Sequence, residues 1–107
     1  MNLSITARGY KAPERLKQYI SEKIDRKKRM YEGVIDTELV LSYEKLTQVA
    51  ELKVKIFNKI LVAREKSDDI FKSIDLALNN IDRQIKRHKE KSRDHKNRKI
   101  REKLVIE

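Results

Sequence analysis

The feature that most constrains this chain is a central block whose apolar residues recur with period two, flanked on both sides by segments whose apolar residues recur with period near 3.6. In the block, Ile35, Thr37, Leu39, Leu41 and Tyr43 alternate with Asp36, Glu38 and Ser42. Past Lys45–Thr47, Ala50, Leu52, Val54 and Ile56 alternate with Glu51, Lys53 and Lys55. Side chains of a strand point to opposite faces in turn, so each run reads as a strand with one buried and one wet face. Asn58-Lys59 suits a tight turn, because Asn tolerates positive φ. A third run, Ile60–Glu65, follows, with Leu61 and Ala63 as its inward pair. At the N-terminus Leu3, Ile5 and Ala7 alternate with Asn2, Ser4 and Thr6, giving a fourth short strand.

The flanks read as helices. Pro13 suits a first helical turn, where its missing N–H costs nothing. From there Leu16, Tyr19, Ile20, Ile24, Met30 and Tyr31 form one stripe that should run to a stop near Gly33. Lys27 interrupts the stripe, and its stem is expected along the core edge with the ammonium in water. The second helix is expected to be capped by Ser67, with Asp68 and Asp69 in its first turn, where carboxylates favour the dipole. Its buried face is Ile70, Ile74, Ala77, Leu78, Ile81 and Ile85, with Phe71 beside them and Asp75 at the core margin as a local hydrogen-bond partner. From Lys86 to Lys103 the chain is almost entirely polar, so the helix should run into solvent or fray. The order β-α-β-β-β-α predicts an α+β fold, one four-stranded sheet with both helices on a single face.

Charge is the second constraint. Within 107 residues, 27 basic and 17 acidic side chains leave a formal net charge of +10, and charged residues are 41% against 38% hydrophobic. Such an excess predicts a polyanionic partner, nucleic acid or an anionic membrane. Ten basic residues lie from Lys86 onward against four acidic ones; a second cluster, Lys23, Arg26, Lys27, Lys28 and Arg29, ends the first helix. By helical spacing Arg83 points away from Ile74 and Ile81, with Lys86 and Arg87 flanking it, while Arg26 and Arg29 lie opposite Leu16 and Ile20. Side by side, the two helices would present one basic ridge, the arrangement polyelectrolyte binding needs.

Other classes are poorly supported. Tyr19, Tyr31, Tyr43 and Phe71 fall on core stripes, which argues against a platform for stacking single-stranded bases; Tyr10 and Phe57 read as loop or edge anchors. There is no Cys, and His88 and His95 stand without a third ligand, so neither disulfide nor metal site is expected. Gly9 and Gly33 are the sole glycines, too few for a phosphate-cradling loop, and no Ser or Lys has an activating motif; no catalysis and no cofactor are expected. The N-terminus lacks the segments of a signal peptide, and no stretch approaches the ~20 apolar residues of a membrane span. The tail from Lys86 to Lys103 has almost no apolar face, which ranks a membrane anchor last. A cytoplasmic protein without membrane or small-molecule partner is expected.

The second helix carries a motif. Asp69-Ile70-Phe71-Lys72-Ser73-Ile74-Asp75, then Ile81-Asp82-Arg83-Gln84-Ile85, resembles the signature of the ribosome hibernation-promoting factor and ribosome-associated inhibitor family. Leu61-Val62-Ala63-Arg64-Glu65 resembles that family's last strand. The resemblance implies a double-stranded-RNA-binding-like fold over residues 1–91. It implies binding to the small ribosomal subunit and its rRNA, in the channel of mRNA and tRNA, as a translation inhibitor under stress. The matching basic positions are Lys23, Arg26 and Arg29, then Arg83, Arg87 and Lys91, with Lys86 added by the ridge. Lys27 stands where the family is apolar, Asn80 where some members are basic, and Ala12 where a capping Thr is common. Residues 92–107 read as a basic tail or linker, and nothing corresponds to the ribosome-dimerising domain of long members. A generic structured-RNA binder is the alternative, although the Gly-Pro-x-His loop and Lys-Lys-x-Ala-Lys helix start of such domains are absent.

Overall fold

The computed structural model describes the backbone of residues 2–106 and the side chains of residues 2–90. Its elements follow the expected order: β1 Asn2–Ala7, α1 Glu14–Asp25, β2 Val34–Glu44, β3 Thr47–Ile56, β4 Lys59–Ser67 and α2 Ile70–Ile106. The sheet order is β1-β2-β3-β4. β1 runs parallel to β2, with Ile5 opposite Leu39, and the other neighbours are antiparallel, with Leu39 opposite Leu52 and Leu52 opposite Ala63. Helix α1 buries Leu16, Ile20 and Ile24, and α2 buries Ile74, Ala77, Leu78, Ile81 and Ile85, against Leu39, Leu41, Leu52, Val54, Ile56, Leu61 and Ala63 of the sheet. Each apolar stripe thus meets the inward parity of the strands, and one core results.

Helix α1 is shorter than its stripe suggested. It ends at Asp25, and residues 26–33 form successive turns, held by Lys27 N–H to Ile24 O at 2.9 Å and Tyr31 N–H to Lys27 O at 3.1 Å. Helix propagation depends on packing, and after Ile24 the next inward positions are Lys27 and Lys28, which offer no apolar surface to bury. Arg26 is therefore the C-cap residue, and Arg29 lies on the turns rather than on a helix face. Pro13 sits in the N-cap position, extended at ψ 147°, one residue before the first turn. At α2 the cap is Asp69: its Oδ1 accepts the Phe71 N–H at 2.9 Å, while Ser67 Oγ accepts the Asp69 N–H at 3.2 Å. No acid stands in the first turn.

Three positions reverse their expected exposure or geometry. A register shift between Val34 and Asp36 turns Val34 inward and leaves Ile35 48% exposed, as a single extra residue in a strand must. Tyr43 is likewise exposed and rests on Tyr10, ring centroids 4.9 Å apart. In the β3–β4 turn the positive φ (55°) falls on Phe57, between the paired Ile56 and Lys59, and Asn58 does not share it.

The outer sheet face carries Glu38, Lys53 and Lys55 exposed, as expected. Asp36, Glu38 and Glu51 stand there in register with Lys55, Lys53 and Arg64, and with Glu44 and Lys66 the face holds four acids against four bases. Lys66 Nζ reaches Glu44 Oε2 at 2.6 Å, and Arg64 pairs with the other oxygen; these two cations hold the Glu44 carboxyl below the ordinary carboxylate range. Val40 and Val49 are nevertheless buried on this face, where the long stems of such a network can cover aliphatic surface.

Candidate nucleic-acid interface

Two aspartates on α2 join it to α1 and to the turns that follow it. Tyr19 O–H donates to Asp75 Oδ1 at 2.6 Å, and Lys23 Nζ lies 3.1 Å from the same oxygen. Lys27 pairs with Asp82 Oδ2, and Tyr31 O–H donates to Asp82 Oδ1 at 2.9 Å. Both acceptors stand seven apart, two helical turns, so they share one flank of α2; the tyrosine and lysine of each set stand four apart. Tyr19 also meets Phe71 edge-on at 5.1 Å, and at the far end Lys89 Nζ donates to Arg29 O at 2.9 Å. Contacts from 19–71 through 27–82 to 29–89 ascend together along both segments, so the two helices run parallel.

These contacts have electrostatic consequences. Burial, reinforced by the Asp82 carboxylate, pushes the Tyr31 phenol far above the ordinary tyrosine range. Burial, then the hydrogen bond to Asp75, raises Tyr19. The hydrogen bond to Asp75, then that to Tyr19, raises Lys23 and keeps it firmly cationic.

The predicted cations therefore divide. Lys23 is tied down on Asp75, its ammonium 5.1 Å above the Tyr19 ring. Lys27, expected to hold its ammonium in water, is instead clamped on Asp82. Arg26 and Arg29 on the turns, and Arg83, Lys86 and Arg87 on α2, are all exposed. Arg26 immediately precedes the Lys27 that grips Asp82, and Arg83 immediately follows Asp82, so both lie on the helix side of the molecule. Arg29 and Lys86 line one groove with Met30, Lys89 and Glu90. The side chain of Lys91 and those of residues 92–107 lie outside the described residues. Asn80, the position where the resemblance gives some members a basic residue, donates to Glu65 Oε1 at 3.2 Å and accepts from Gln84, which caps the Val62 carbonyl on the edge of β4. Sequence reasoning missed the clamp, although the seven-residue spacing of Asp75 and Asp82 and the four-residue spacing of Tyr19-Lys23 and Lys27-Tyr31 carried its signal.

Among the described residues no helix is long and apolar enough to cross a membrane, and no group of three His, Asp or Glu side chains could hold a metal.

An α+β module with a basic helix side and a charge-balanced sheet side has the charge distribution that a folded polyanion would meet on one face alone. Solved structures share the architecture. A ribosomal subunit interface protein from Coxiella burnetii superposes with a TM-score of 0.78 at 21% identity, covering 83% of this chain and 98% of that one. The N-terminal domain of Protein Y from Thermus thermophilus gives 0.73 at 25% identity, covering 82% and 99%. In sequence, the ribosome hibernation promoting factor of Azotobacter vinelandii is 30% identical over 91 residues, 85% of each chain. Residues 3–93 match the model of the Sigma 54 modulation protein / S30EA ribosomal protein family, and the chain belongs to that family.

Proposed function

We propose that this protein is a non-catalytic, ribosome-binding translation inhibitor that seats its helix side against rRNA of the small subunit. Bound in the channel where mRNA and tRNA would lie, it silences the ribosome under stress by exclusion. The observation that carries the reading is the double clamp, which holds α1 and the turns after it alongside α2 while Arg26, Arg29, Arg83, Lys86 and Arg87 stay exposed. Fixed cations on one face release counterions together when they meet phosphates, whereas the neutral sheet face gains nothing from such a partner. Membership of a family whose relatives are named for ribosome hibernation supports the same partner. Residues 1–91, including Lys91, form the binding domain in this reading, and residues 92–107 a basic tail or linker.

Co-sedimentation with purified small subunits through sucrose at low salt tests it. The protein should co-migrate, and a message with initiator tRNA bound beforehand should displace it. Free RNA duplexes binding as tightly as subunits would favour the generic RNA-binding alternative, and no co-migration would defeat both.

A further inference from the structure

Phe57 is an aromatic side chain that the core does not claim. It occupies the first position of the β3–β4 turn at φ +55°, a region that strains a bulky residue and favours Gly or Asn. Asn58 stands one residue later, so the strain is not what a turn alone would select. The residue is 57% exposed. The tip of the ring lies against Gly33, so closely that a Cβ there would be 2.9 Å from the ring's Cζ. His88 of α2 flanks it at 6.0 Å between centroids, the planes inclined by 35°. Glycine thus lets the ring seat on backbone and fixes its orientation, while much of the ring remains in water.

The surroundings are basic. Lys59, Arg87 and His88 line one groove of about 310 Å³ with Ile60, Leu61 and Gln84. Arg87 belongs to the basic helix side, and Gly33 closes the turns that carry Arg29. A hydrophobic anchor would bury its ring and tolerate Leu equally well. A pre-oriented, half-free ring whose neighbour His88 lines a basic groove has the chemistry that holds an unstacked base, since every base offers a π-face and its phosphates attract cations.

We infer that Phe57, seated on Gly33 and flanked by His88, stacks one unpaired nucleobase of the bound RNA, with Lys59 and Arg87 meeting the adjoining phosphates. This deepens the rRNA-binding reading and rests on it. The chain contains no Trp, so Phe57→Trp installs a single indole reporter. Its fluorescence should be quenched by a saturating oligoadenylate strand at low salt, and much less by the same strand with abasic riboses. Phe57→Leu should weaken binding to small subunits about tenfold, within the range that one lost aromatic stack produces. Its salt slope should stay at the wild-type value, whereas Arg87→Ala should lower the slope by about one. Thermal melts of each variant verify folding, and Phe57→Tyr should restore affinity. If wild-type protein binds subunits and Phe57→Leu binds equally well, the stacking site is refuted while the ribosome reading survives. Indole fluorescence unquenched by either strand, or quenched equally by both, refutes it too, as does a blue shift without quenching on subunits, which marks an apolar protein contact. A wild-type protein that fails to co-sediment refutes the ribosome reading instead.

Discussion

Asp75 and Asp82 each serve one tyrosine and one lysine, yet unequal burial gives them unequal weight. The Asp82 side chain is 14% exposed and its Tyr31 partner 5%, whereas the Asp75 side chain is 38% exposed and faces a Lys23 that is 35% exposed. Removing Asp82 strands a buried phenol and an ammonium together, so Asp82→Ala should cost about 2–3 kcal/mol in urea unfolding. Asp75→Ala, screened by solvent, should cost about 1 kcal/mol or less. Asp82→Asn, which can still accept from Tyr31, should fall between the wild type and Asp82→Ala. The same site sets an alkaline limit. Tyr31 holds its proton in the native state at pH values where the unfolded chain has released it, so the native state binds more protons there. Its contribution is intact below about pH 10, the ordinary tyrosine value, and declines as pH rises beyond it, by up to about 1.4 kcal/mol per pH unit. Tyr19 and Lys23, also raised, act in the same direction. Urea titrations at pH 9, 10 and 11 should show Tyr31→Phe with a shallower decline than wild type.

At the scale of elements, what was legible depended on whether a signal was local. Alternation identified all four strands, and the α2 stripe from Ile70 to Ile85 matched its buried face almost residue for residue. Boundaries were less legible. Met30 and Tyr31 continue the phase of α1 closely enough to look helical, but burial at 27 and 28 is missing and the chain turns instead. The one-residue slip at Ile35 leaves no compositional trace, and Phe57 occupies a turn position that residue preferences assign to its neighbour. The site divided likewise: the cationic clusters were plain, but which cations were free required knowing that Asp75, Asp82 and the Arg29 carbonyl engage Lys23, Lys27 and Lys89. The tail gives a prediction at this scale. Among the described residues the last core residue is Ile85, and six basic residues against three acidic ones lie beyond Lys91. A chain ending at Lys91 should therefore unfold within about 0.5 kcal/mol of the full chain, as changes outside a core usually do. Its affinity for small subunits should fall at low salt and converge on that of the full chain as salt rises, the mark of a contribution made through phosphates. Urea unfolding and co-sedimentation at two salt concentrations check both halves.

The whole molecule is electrically two-sided, and this asymmetry gives the sharpest test of orientation. The strands' outer face balances four acids against four bases, with Glu44 gripping Lys66 and Arg64, and with Glu51 within 3.8 Å of both Lys53 and Arg64. A cation already paired has little counterion to release, so that face should contribute little to phosphate binding however many lysines it displays. On the helix side, the acids Asp75 and Asp82 are consumed by Lys23 and Lys27, leaving Arg26, Arg29, Arg83, Lys86 and Arg87 exposed beyond them. Single Ala substitutions at Arg26, Arg83 and Arg87 should each lower the log–log salt slope of subunit binding by about one. Lys53→Ala and Lys55→Ala, which remove the same formal charge from the other face, should leave it unchanged. Because both sets lower the net charge equally, a simple charge effect predicts equal losses and a docked helix side predicts unequal ones. Equal losses from the two faces would mean the protein meets RNA through its overall field, and the parallel helices would then be architecture alone.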